Sequence, residues 1–143
     1  MTNYSHLLED RRIQREPAAR GQVNQQLAAA RRDLETARGL LVGENEWAYN
    51  IAYNAMLLAG RAVMFSDGYR PTITGGHAAV VEFLRIRLDA SFAEMVLMMD
   101  RMRRQRHRII YDAPGTVSPS QIREAVLTAE QFLSQIEKLI AGK

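Results

Sequence analysis

The stretch WAYNIAYNAMLLAGRAVM, residues 47–64, decides the fold more than any other part of this sequence. It is built largely from Ala, Leu and Met, which favour helices. We expect a helix from about Asn45 to Phe65, because the turn-forming residues 66–68 follow it.

Two side-chain pairs repeat every four residues within this predicted helix. Tyr49 and Tyr53 share one helix face, as do Asn50 and Asn54. A stacking platform for nucleic-acid bases is one interpretation of the tyrosines. Core packing with satisfied hydrogen bonds is the more frequent use of such pairs, and we favour it.

The segments on either side carry helical spacing as well. Before the central stretch, apolar residues recur from Val23 to Leu41 and the pattern stops at Gly43. After it, turn residues fill 68–76, and Gly75-Gly76 is either a phosphate-binding turn or, as we prefer, a plain loop-to-helix turn. A third helix is expected from Gly76 to Leu88, with Thr74 as its cap.

Two further helices have capping-box signatures at their starts. Ser91 and Glu94 form the pair that predicts a fourth helix, and Ala113-Pro114-Gly115 ends it. Ser118-Pro119-Ser120-Gln121 predicts the start of the last helix. Its expected apolar face comprises Ile122, Ala125, Val126, Ala129, Leu133, Ile136 and Ile140.

No alternating pattern of β-branched residues predicts a strand. The fold class is therefore all-α, an up-and-down bundle of four to five helices with short connections. A short extra N-terminal helix is expected over Ser5–Gln14, ending before Pro17. We expect one domain over residues 1–143, in which residues 1–20 are an N-terminal extension.

The composition excludes several classes of site. The chain has no cysteine, so disulfides and thiolate metal sites are excluded. Its three histidines lie far apart, and we expect neither a metal nor a cofactor. We find no signal peptide and no apolar run approaching the ~20 residues of a membrane helix, so we expect a cytoplasmic protein without a membrane partner.

The segment MDRMRRQRHRIIYD, residues 99–112, concentrates the positive charge. Lysine occurs only at Lys138 and Lys143, so nearly all cations are arginines. At helical spacing, Arg103 and Arg106 continue the apolar stripe of Phe92, Val96 and Met99. Charges on such a stripe are either ion-paired, here with Asp100, Asp112 or a glutamate of another helix, or face a phosphate-binding cleft. Position alone does not separate the two.

Four segments together resemble the HEPN domains of prokaryotes: 30–38, 47–64, 68–84 and 100–112. The resemblance implies a helical bundle that commonly forms homodimers. It also implies a metal-independent endoribonuclease site, in which an arginine contacts the scissile phosphate and a histidine, separated from it by four to six residues, assists proton transfer. Such proteins act as toxins beside a nucleotidyltransferase antitoxin, or in RNA-targeting defence.

The family motif fits this sequence in two registers. Arg101 and His107 have the required spacing, but the local pattern favours Arg106 with Tyr111 at the histidine position. Tyrosine is a poor base at neutral pH, so the resemblance leaves open whether the site is catalytic.

In the favoured register, each residue of the segment has an expected role. Arg106 contacts phosphate, His107 shuttles the proton, and Tyr111 donates a hydrogen bond or stacks. Arg101, Arg103 and Arg104 add attraction for RNA. The alternatives are a non-catalytic subunit that partners a nucleotidyltransferase, and arginines that only form salt bridges at a dimer interface.

Overall fold

The computed structural model describes residues 3–43, 45–109 and 117–142, except for the side chain of His107. The elements are α1 (Ser5–Glu9), β1 (Ile13–Arg15), α2 (Val23–Leu40), α3 (Trp47–Ser66), β2 (Tyr69–Pro71), α4 (Gly76–Arg87), α5 (Ala93–His107) and α6 (Pro119–Ala141). Five long helices and one short one confirm the predicted all-α bundle.

The helix α3 forms the centre of the bundle. It contacts α2, α4, α5 and α6, and 14 of its 20 residues are buried. A helix with apolar residues on nearly all sides must be covered on nearly all sides, which the other helices do. At Gly60 a Cβ would lie 2.9 Å from side-chain atoms of both Val80 and Leu84, so the absent side chain lets α4 approach closely.

The N-terminal segment departs from the prediction. The helix expected over Ser5–Gln14 ends at Glu9, and Arg11 adopts a left-handed φ of 57°. Ile13–Arg15 then pairs antiparallel with β2, opposite Tyr69–Pro71. The expectation of no strand was therefore wrong, because strands of three residues are too short to show an alternating pattern.

Two predicted helix starts were also wrong in detail. Thr74 does not cap α4; instead the Thr72 hydroxyl accepts a hydrogen bond from the Gly75 amide at 3.0 Å. The box predicted from Ser91 and Glu94 is replaced by a short 3₁₀ turn over Ala90–Phe92, in which Asp89 accepts from the Ser91 amide at 2.9 Å. In both cases an oxygen slightly earlier in the chain takes the capping role.

The start of α6 matches its prediction. The Ser118 hydroxyl accepts from the Gln121 amide, and the Gln121 side chain accepts from the Ser118 amide at 2.8 Å. The apolar face of α6 packs on α2 and α3, and of the predicted residues only Ile140 is half-buried rather than buried. This packing leaves α5 against α3, between α4 and α6.

Candidate functional site

The arginines of α5 are divided between two sides of the helix. Arg101, Arg104 and Arg108 line a groove of about 390 Å³ together with Tyr49 of α3 and Glu124 of α6. Arg103 and Arg106 instead lie toward Tyr53, where their charges oppose the rise of the tyrosine pKa. The base-stacking platform considered for the two tyrosines does not form, because Tyr53 is fully buried and Tyr49 nearly so.

Asp100 neutralises part of the arginine charge. Its carboxylate is only 7% exposed and accepts from Arg103 Nε and Nη2 at 3.1 and 3.0 Å. It also accepts from Arg104 Nη2 at 2.8 Å and pairs with Arg85 of α4 at 3.4 Å. A buried carboxylate needs such partners. Three guanidinium groups share one carboxylate, so the cluster keeps a net positive charge.

Arg106 is held differently. Its guanidinium carbon lies 5.9 Å from the centroid of the Tyr53 ring, within the range of a cation–π contact. Among the described residues, no carboxylate pairs with Arg106. The side chain is half-buried, so its guanidinium group lies near the surface, and no described carboxylate occupies its hydrogen-bond donors.

His77 of α4 contacts the same tyrosine. Its Nδ1 lies 3.0 Å from the Tyr53 hydroxyl oxygen. Burial raises the pKa of Tyr53 to about 12, and burial together with the charges of Arg61, Arg106 and Arg103 lowers the pKa of His77. At neutral pH the tyrosine is therefore protonated and the histidine is neutral. When the tyrosine hydroxyl donates to Nδ1, the imidazole proton resides on Nε2, which is then a hydrogen-bond donor.

The contact between Tyr53 and His77 was missed by the sequence argument. Tyr53 was interpreted as core, which is correct, but a buried phenol also needs a polar partner. The partner stands 24 positions later, directly after Gly75-Gly76, and no motif in the sequence links the two residues. The contact depends on how α3 and α4 pack, so no local spacing predicts it.

Several of the remaining predicted residues lie outside the described part of the chain. Helix α5 ends at His107, whose side chain lies outside the described residues, and so do Tyr111 and Asp112. The choice between the Arg101/His107 and Arg106/Tyr111 registers therefore stays a prediction. Within the described ranges, no group of three or more His, Asp or Glu could hold a metal ion, and no helix is long and apolar enough to cross a membrane.

Comparison with known families identifies the domain. A model of the HEPN domain matches residues 23–139, from the first residue of α2 to near the end of α6. The chain belongs to the HEPN family. Membership confirms the resemblance found in the sequence and supports a role that involves nucleotides or RNA. A comparison with curated proteins finds no match.

Proposed function

We propose that this HEPN-domain chain engages RNA or nucleotide phosphates through the arginines of α5, as a component of a toxin–antitoxin or defence-type system. The observation that carries the proposal is the position of Arg106. It is half-buried, it lies against Tyr53, and it has no carboxylate partner among the described residues. A guanidinium group whose donors are not occupied by a carboxylate can donate two parallel hydrogen bonds to a phosphate.

The other arginines have graded roles in this proposal. Asp100 occupies donors of Arg103 and Arg104, so these two attract RNA through their net charge more than through direct hydrogen bonds. Arg101 is exposed in the groove beside Tyr49 and adds to the attraction. His107 is proposed as the proton shuttle and Tyr111 as hydrogen-bond donor or stacking surface.

We also propose that the chain is one domain over 1–143 and forms a homodimer. Residues 1–20 extend the domain, and Tyr4, Leu7 and Ile13 of this extension are buried with the residues of the helices. Two large apolar side chains, Leu97 on α5 and Leu127 on α6, are 45% and 56% exposed. A second copy that covered them would bring two arginine helices together.

A second candidate function is a non-catalytic subunit that partners a small nucleotidyltransferase. The Asp100 ion pairs favour it, because they engage arginines that an RNA-cleaving site would leave for its substrate. The tyrosine at the histidine position in the preferred register favours it as well.

The test uses purified protein, labelled single-stranded RNA and a metal chelator. Arg106→Ala, His107→Ala and Tyr111→Phe are compared with Arg32→Ala, an exposed arginine on the side of α2 opposite its buried residues. Cleavage that Arg106→Ala abolishes supports the ribonuclease. Salt-sensitive binding without cleavage, weakened by Arg106→Ala alone, supports phosphate binding by a non-catalytic subunit. If Arg106→Ala and Arg32→Ala bind and cleave RNA equally well, the proposed role of Arg106 is wrong.

A further inference from the structure

A second basic feature lies beside the α5 arginines, between α3 and the start of α4. It is a cavity of about 370 Å³ whose walls include Arg61 of α3, Arg70 of β2, Gln22, Gln26 and Gly76. Arg61 is half-buried and Arg70 is exposed. The family motif contains none of these residues.

The two arginines line the same cavity, so their positive charges repel each other. Burial, and then the charge of Arg70, lowers the pKa of Arg61. In the described part of the chain, neither arginine forms an ion pair with a carboxylate. Adjacent guanidinium groups that lack an anion are unfavourable by themselves, and a bound anion would relieve the repulsion.

The cavity adjoins the site on α5, because Gly76 in its wall precedes His77, which contacts the tyrosine that Arg106 covers. Arg61 interacts with Tyr53 and His77, the same two residues with which Arg106 interacts. Arg70, Arg61, His77 and Arg106 therefore supply hydrogen-bond donors from β2, α3, α4 and α5 to the region around Tyr53 and the cavity. Asp100, the described carboxylate that interacts with Tyr53, is already bound by arginines.

We propose that Arg61 and Arg70, with His77 beside them, form a second phosphate-binding subsite for single-stranded RNA. The subsite holds one backbone phosphate while Arg106 holds another phosphate of the same strand. A single strand can contact both places because its flexible backbone can follow a curved basic surface. This inference rests on the proposed function, and it assigns residues outside the motif to the binding of RNA.

The experiment measures the affinity for a labelled single-stranded RNA of six nucleotides and for a single nucleoside monophosphate. The variants are Arg61→Gln, Arg70→Gln and Arg106→Gln, with Arg32→Gln as the control that removes the same charge from a distant surface. Arg70→Gln alters an exposed side chain, so it tests the subsite even if Arg61→Gln disturbs packing. Circular dichroism checks that each variant is folded.

We expect Arg61→Gln and Arg70→Gln each to weaken RNA binding about tenfold, the size of one charge-assisted hydrogen bond. Each should also lower the slope of log affinity against log salt by about 0.7, the value for one phosphate of a single strand. The monophosphate has one phosphate to place, and we expect its affinity to depend on Arg106 and to be unchanged by Arg70→Gln.

The outcomes separate this inference from the proposed function. If RNA binding depends on Arg106 while Arg61→Gln and Arg70→Gln match Arg32→Gln, the second subsite is wrong and the proposed function stands. If the wild-type protein does not bind RNA, both the proposed function and the second subsite are wrong. If Arg70→Gln lowers the affinity for the monophosphate as much as the affinity for RNA, the inference is wrong, because the cavity is then a nucleotide site and not a subsite along a strand.

Discussion

Two surfaces of this bundle carry arginines in opposite ways. Between α2 and α6, Arg31 pairs with Glu137 and Arg38 with Glu130, one carboxylate for each cation. Around Tyr53, where α3, α4 and α5 meet, Arg106 and Arg61 have no carboxylate partner among the described residues. On the first surface, Arg31 and Arg38 are each paired with a glutamate without a ligand. On the second, the guanidinium groups of Arg61 and Arg106 keep hydrogen-bond donors that no described carboxylate occupies. The comparison indicates which arginines serve the fold and which are available to an anion.

Asp100 is a carboxylate near Tyr53 that does pair with arginines, and we expect its replacement to have the largest effect on stability. Asp100→Asn removes the charge that holds Arg85, Arg103 and Arg104 together. We expect the free energy of unfolding to fall by about 2 kcal/mol, measured by urea denaturation. We also expect affinity for RNA to rise, because the arginines regain free donors.

Glu9→Gln is the matched control for this substitution, since it removes an exposed carboxylate from α1. It should change the stability by less than about 0.5 kcal/mol. An equal rise in RNA affinity in both variants would mean that only net charge matters and that Asp100 does not regulate the arginines.

The pair of Tyr53 and His77 predicts a smaller effect, which depends on pH. Folding lowers the pKa of His77. As the pH falls, the unfolded chain therefore binds a proton at this residue near the ordinary pKa of 6.5, whereas the folded chain binds it only at lower pH. The contribution of neutral His77 to the free energy of unfolding is thus fully present above pH 6.5 and is lost as the pH falls below that value. His77→Gln should make stability less sensitive to pH between 7 and 5.

Thermal unfolding at several pH values measures this difference. His6→Gln, which replaces an exposed histidine on α1, is the control. A wild-type protein whose loss of stability on acidification is the same as that of His77→Gln would contradict the neutral state assigned to His77.

The smallest effect is expected on the paired surface. Arg31→Gln should lower the free energy of unfolding by less than about 1 kcal/mol, because the arginine is more than half exposed and surface ion pairs contribute little. Urea denaturation is again the measurement. A loss larger than that of Asp100→Asn would reverse the order of the two surfaces.

The sequence predicted the long helices well, because each depends on signals that are local in the chain. The apolar spacing of 23–41 and the capping box at Ser118 are read within a few residues, and the structure confirms both. The short sheet was missed because Ile13 and Pro71 are far apart in sequence and come together only in the folded chain.

The candidate site was predictable only where its residues lie on one helix. The spacing of 100–108 places Arg103 and Arg106 on the apolar stripe, and Asp100 is one of the ion-pair partners that the sequence leaves open. The sequence could not show that one aspartate binds three arginines, nor that His77 and Arg61 join Arg106 around Tyr53. These contacts connect three helices, and each depends on how the helices pack rather than on local spacing.

The most direct test of the comparison removes the same charge from each surface. The double variant Arg61→Gln/Arg106→Gln and the double variant Arg31→Gln/Arg38→Gln both lose two positive charges. Affinity for a six-nucleotide single-stranded RNA is measured at several salt concentrations for both. We predict a loss of about a hundredfold and a lower salt slope for the first variant, and wild-type binding for the second. Equal losses in the two variants would contradict the account, because RNA would then respond to the net charge of the protein and not to the arginines around Tyr53.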